Sequence, residues 1–159
     1  MLTPAGEVPV EALRPGALVL AVGGGAPFQP LVEARRVTLP GPCVRVLAGA
    51  MADGAPQDDL RLPPDHALLV DGLLVAARDL VDGHGILAEA DGAVDVVQIV
   101  LAAHDAVLAA GLAVETARAE PGLPDCAPRG APPPALRAML AWRAEAMGWC
   151  PATPPPAPP

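Results

Sequence analysis

His66, His84 and His104 are the chain's only imidazoles, and Cys43, Cys126 and Cys150 its only thiols. Imidazole ionises near neutrality, so each histidine is a candidate proton carrier. A thiol becomes a nucleophile or metal ligand once it loses its proton. The cysteines are widely spaced, with no Cys-x-x-Cys and no Cys/His ligand spacing, so neither a metal nor a cofactor is expected and the thiols read as reduced. His66 follows Pro63-Pro64-Asp65 and is either a proton donor or a plain turn residue. His104-Asp105 offers a His–carboxylate pair for a proton relay, but neighbours on a strand point to opposite faces, which favours a strand ending. His84, between Gly83 and Gly85, reads as a loop residue. Asp58, Asp59, Asp65 and His66 could be drawn as a metal cluster; without ligand spacing they read as a solvated turn. Cys43, between Pro42 and Val44, reads as a buried apolar thiol.

The missing residue types exclude more. There is no Ser, Lys, Asn or Tyr. That removes a Ser-His-Asp hydrolase, a Schiff-base lysine, a phosphate-binding P-loop and an N-glycosylation acceptor. A net charge of −8 repels a phosphate backbone, so nucleic acid is not an expected partner. The longest uncharged run, Pro15 to Val32, is broken by Gly23-Gly24-Gly25, Pro27 and Pro30, which argues against a membrane span. Glu7 and Glu11 stand where a signal peptide would be basic and then apolar, so a cytoplasmic location is expected.

Stepping along the chain, short apolar runs alternate with turn residues from Thr3 to Ala119, the rhythm of a β domain. Aromatic residues are only 2% of the chain, so the core must be Val, Leu and Ala. Strands are expected at Val8–Leu13, Ala17–Val22, Leu31–Leu39, Cys43–Ala48, Leu60–Leu62, Ala67–Val70, Leu73–Ala76, Gly85–Glu89, Val94–Leu101, Ala106–Ala109 and Leu112–Thr116. Asp71-Gly72 and Asp91-Gly92 are two-residue hairpin signals between neighbouring strands. Val94–Leu101, interrupted only by Asp95 and Gln98, reads as a central strand buried on both faces. Residues 121–134 are rich in Pro and Gly and read as a linker. Ala135–Gly148 follows as a helix with Leu136, Met139, Leu140 and Met147 on one face, and with Arg137, Arg143 and Glu145 toward water. Gly148 is its stop, Trp142 and Trp149 are expected to dock it on the sheet, and residues 149–159 form a Pro-rich tail, extended or disordered from Pro151.

Three blocks carry a family resemblance. Leu2-Thr3-Pro4-Ala5-Gly6-Glu7-Val8-Pro9-Val10-Glu11-Ala12-Leu13-Arg14-Pro15-Gly16 resembles the opening of bacterial Hint (Hedgehog/intein-type) domains. Leu60-Arg61-Leu62-Pro63-Pro64-Asp65-His66-Ala67-Leu68-Leu69 is similar to the family's Thr/Ser-x-x-His block, with His66 at the histidine and Pro63 at the hydroxyl. Val97–Leu101, His104-Asp105 and Ala109–Thr116 resemble the last pair of intein strands. There Gln98 stands where an Asp is frequent, His104 matches the later histidine, and Glu115-Thr116 replaces His-Asn. The resemblance runs from Leu2 to Glu120, so residues 1–120 are read as the Hint domain.

The resemblance implies an all-β fold of short strands and hairpins, and a self-cleaving ancestry in which a thiol attacks its own preceding carbonyl. His66 and His104 are the implied catalytic positions. It also implies that the polypeptide as written is inactive: the family's reactive Cys would lie ahead of Met1, Ala17 replaces the turn Asp, and Asn cyclisation has no Asn. The implied partner is a flanking polypeptide in cis or another protein. The competing function is a non-catalytic interaction module on the same scaffold, and a small metal-dependent hydrolase is a third.

Overall fold

A computed structural model of the chain describes residues 1–90 and 92–149. Among the described residues, thirteen short strands and two α-helices succeed one another. They are β1 Leu2–Thr3, β2 Gly6–Glu7, β3 Leu18–Leu20, β4 Phe28–Pro30, β5 Glu33–Pro40, β6 Cys43–Val46, β7 Leu60–Leu62, β8 Ala67–Val70 and β9 Leu73–Ala76. The single turn α1 Ala77–Leu80 comes next, then β10 Ile86–Glu89, β11 Ala93–Val100, β12 Ala106–Ala109, β13 Leu112–Glu115 and α2 Pro134–Ala146. All sheets are antiparallel: β12-β13-β8-β9, β10-β6-β7, and the ribbons β11-β5, β3-β4 and β1-β2. This is the all-β architecture expected from the alternation of apolar runs and turns.

Aliphatic side chains build two cores. The larger joins Val44, Val46, Leu62, Leu68, Val75, Leu80, Ile86, Leu112 and Val114 to Leu136 and Leu140 of α2. The smaller gathers Leu13, Val19, Leu31, Ile99, Leu101 and Val107. The turn Asp71-Gly72 joins β8 to β9 with φ of 50° and 78°, the left-handed pair that this tight hairpin needs and that Gly adopts freely.

Four expectations need correction. Val8–Leu13 is not a strand: Pro9 opens a 3-10 turn at Val10–Ala12, because proline fixes φ and has no N–H for a ladder. The β11 strand is not central; it pairs with β5 alone, and although Val94, Ile99 and Val100 are buried, with Ile99 in the smaller core, Ala93 and Asp95 stay exposed. The strands on either side of Asp91-Gly92 do not form a hairpin with each other, since β10 pairs with β6 and β11 with β5; Asp91 lies outside the described residues. Trp142 does not dock α2 and is 64% exposed, the packing being done by Leu136, Leu140 and Ala144.

Arg143 is a fifth departure. It is buried rather than solvated, and its guanidinium donates to the Gly49 carbonyl from Nε (2.9 Å) and Nη2 (2.6 Å). A long side chain can lie along an apolar face and still deliver its charge to an oxygen. Trp149 packs against the larger core beside Gly85, and Gly148 ends the helix with φ of 68°. Cys150 and the expected Pro-rich tail, Pro151–Pro159, lie outside the described residues. Among the described residues no helix is long and apolar enough to cross a membrane.

Candidate functional site

Pro63-Pro64-Asp65-His66 folds as a turn closed by the His66 N–H donating to the Pro63 carbonyl (3.0 Å). The turn feeds β8, which pairs with β13 in the register Val114 opposite Leu68. In an antiparallel pair that register sets Glu115 across from Ala67, at the start of the strand that His66 precedes. The Ala67 N–H accordingly donates to Glu115 Oε1 (3.0 Å). Glu115 Oε2 accepts from Arg129 Nη2 (2.7 Å) and lies 3.6 Å from His104 Nε2.

Glu115 thus lies beside both positions named by the resemblance: its carboxylate is near the His104 ring and is bonded by the N–H of Ala67, the residue after His66. His104 is buried, and its Nδ1 accepts from the Cys126 N–H (3.0 Å). With Nδ1 an acceptor, the neutral ring carries its proton on Nε2, directed at Glu115. Asp125 Oδ1 stands 3.7 Å from the same Nδ1. His66 is partly buried, and burial pushes its pKa below the ordinary imidazole value of 6.5; the carboxylate and main-chain carbonyl of Glu115 oppose that shift and Arg129 adds to it. His66 is therefore neutral at pH 7, able to take a proton and pass it on.

His66 opens onto a cleft of about 680 Å³ between the two cores. Leu62 and Val114 line it from the larger core, Ile99 and Val107 from the smaller, and Glu115 and Met1 sit on its wall. Met1 is held there by the β1–β2 hairpin: its ammonium donates to the Val8 carbonyl (2.9 Å), and the Val8 N–H donates back to the Met1 carbonyl (2.9 Å). The beginning of this chain and the imidazole after the double proline share one cavity. Among the described residues, none that lines it is Cys, Ser or Thr.

Other candidates lie elsewhere. Asp105 does not join His104; the two residues lie ahead of β12 and not at a strand end, and the Asp105 carboxylate accepts from Gly23 N–H (2.6 Å), Ala106 N–H (2.7 Å) and Gln29 Nε2 (2.7 Å). Gln98 pairs in register with Arg35 and is not on the cleft. His84 is a loop residue whose N–H donates to Asp82 (2.8 Å). Cys43 is buried, with its thiol 3.3 Å from Glu89 Oε2. Asp59 is taken up by Arg45 and the Ala48 N–H, and Asp65 pairs with Arg78. Among the described residues no group of three or more His, Cys, Asp or Glu could hold a metal ion. Arg129, Asp125 and the Cys126 main chain were invisible in the sequence because they act across the sheet. Their one local hint is a charged Asp-Cys-x-x-Arg run inside a Pro/Gly-rich stretch.

No curated protein and no solved structure matches the chain. A family model described as the Hint domain matches residues 1–121, which contain His66, His104 and Glu115 together with every strand. The chain belongs to the Hint-domain family.

Proposed function

We propose that this chain is a Hint-type self-processing module whose residues 1–149 hold the proton-handling side of the site and bring no nucleophile to it, so that the 159-residue polypeptide does not cut a peptide bond by itself. The observation that carries the reading is the shared cleft of Met1 and His66. In the reaction of this class a thiol sulfur bonds to the carbonyl carbon ahead of it, and the carbon–nitrogen bond breaks. The proton released by the thiol is returned to the departing nitrogen. A neutral imidazole at the junction suits that transfer, because it can accept the first proton and donate it again. His104 is buried with its Nε2 3.6 Å from the Glu115 carboxylate, which the Ala67 N–H and Arg129 hold in place. The Cys43 thiol faces Glu89 and neither Cys43 nor Cys126 lines the cleft; a reduced, cytoplasmic setting fits both.

The test is a fusion with a partner protein ahead of Met1, incubated with dithiothreitol and followed by intact mass. With the present sequence the fusion stays whole. With a Cys restored ahead of β1 at the family position, the partner is released, and His66→Ala stops the release. Release without an added Cys refutes the proposed inactivity. A second reading, a non-catalytic interaction module, is favoured by Pro63, which has neither hydroxyl nor N–H where the family supplies a hydrogen bond. Continued absence of release with the Cys restored selects it.

A further inference from the structure

We infer that residues 122–130, which lie beyond the family domain, are a working part of the His66 site, with Arg129 acting through Glu115 as a positioning residue for the imidazole. The segment is seated by backbone bonds. The Leu74 N–H donates to the Pro128 carbonyl (2.9 Å), the Gly130 N–H donates to the Leu74 carbonyl (3.1 Å), and Leu74 and Arg129 form a parallel bridge at the edge of β9. From that seat the segment reaches His104 directly and the neighbourhood of His66 by way of Glu115. The Cys126 N–H fixes the His104 ring, and Arg129 spans two carboxylates, Glu115 (2.7 Å) and Asp125 (3.0 Å from Nε). Arg118 holds Asp125 from the domain side.

Glu115 is the pivot. One oxygen is fixed by the Ala67 N–H, on the residue next to His66, and the other by Arg129. Without the guanidinium the carboxylate keeps one tether and is free to turn toward the cleft. The charge arrangement runs the same way: Glu115 favours the imidazolium form of His66, and Arg129 disfavours it. The remaining charged groups near His66 are Asp65, already paired with Arg78, and, on the cleft wall, Glu11, Arg45, Asp59, Arg61 and Asp95. None of these changes in the variants below.

The inference borrows from the self-processing reading only the role of His66, and it is measured without any cleavage. The Hε1 resonances of the three histidines are assigned by single His→Gln replacements and titrated by NMR in the 159-residue chain. Arg129→Met should raise the His66 midpoint, Arg129→Lys should leave it near the unsubstituted value, and Glu115→Gln should lower it. Simple loosening of the fold moves a buried imidazole up toward its ordinary value in every variant, so the downward shift in Glu115→Gln separates coupling from damage. A Glu115→Gln midpoint equal to or above the unsubstituted one overturns the inference, as does an Arg129→Met midpoint matching Arg129→Lys. Where these shifts appear and the restored-Cys fusion never cleaves, the coupling stands and the self-processing reading falls.

Discussion

Replacing Asp105 by Ala should be among the most damaging single changes in this chain. Asp105 is 3% exposed, and its carboxylate accepts from the Gly23 and Ala106 N–H groups and from Gln29 as well. A hydrogen bond to a charged group contributes about 1.5–3 kcal/mol, and a buried donor left unpaired costs about 1–3 kcal/mol. Three such bonds share one carboxylate and are not additive, so the loss is set at about 3–5 kcal/mol, the usual result of breaking a buried polar network. With a urea slope of roughly 1–3 kcal/mol per molar for a small domain, the unfolding midpoint should fall by about 2 M. Asp105→Asn gives a sharper test. Its Oδ1 can still accept from Gly23 and Ala106, whereas its amide nitrogen meets the Gln29 amide, which must turn over and release the Ala26 carbonyl. That variant should lose only about 1–2 kcal/mol. Equal midpoints for the two variants, or an Ala midpoint within about 0.5 M of the unsubstituted protein, would refute the argument that the three bonds hold this loop.

Gly23→Ala attacks the same contact from the other side, since a Cβ there collides with Asp105 Oδ1 and comes within 3.0 Å of the Cys126 side chain. It should destabilise by about 2–3 kcal/mol and, in a double-mutant cycle with Asp105→Ala, show clear non-additivity. Arg143→Met should lower stability by about 1.5–3 kcal/mol in thermal melts because the Gly49 carbonyl loses both donors. Asp53→Asn, at Arg143's fully exposed partner, should change little. His66 titrates below 6.5 in the folded chain, so the unfolded chain binds more protons; its stabilising contribution is complete above pH 6.5 and is lost as pH falls through the folded value. His66→Gln should therefore flatten the stability curve just below pH 6.5, and an unchanged slope there would contradict the shift. Burial raises the pKa of both Cys43 and Cys126, so peptide-resolved alkylation at pH 8 should be much slower at both in folded protein than in urea.

What the sequence disclosed was local. The turn ending in His66 follows from two prolines and an aspartate in succession, the β8–β9 hairpin from Asp71-Gly72, and the inner face of α2 from Leu136 and Leu140 at helical spacing. What it hid depends on reach or on distant pairing. Arg143 looked solvated because its position on the helix wheel says nothing about a carbonyl that a long side chain can reach. The apolar run of β11 looked doubly buried, but the strand has one ribbon partner, β5, and sends Ile99 into the smaller core with Val97 packed against it. Glu115 stood in a familiar block without a visible role, because its partners Ala67 and Arg129 lie 48 and 14 residues away.

The position of Glu115 is enforced by packing that has no chemistry of its own. Along β13, Leu112 and Val114 are buried in the larger core while Ala113 and Glu115 alternate to the other face. Because side chains on a strand alternate strictly, a slip of one residue against β8 would send Glu115 into that core and turn Val114 outward. Burying an unpaired carboxylate there while exposing a valine costs several kcal/mol, a large part of the 5–15 kcal/mol that holds such a domain together. The register that sets Glu115 across from Ala67, next to His66, with its carboxylate 3.6 Å from His104 Nε2, is thus selected by Leu112, Val114 and Leu68, and substitutions at the site itself can vary without losing it.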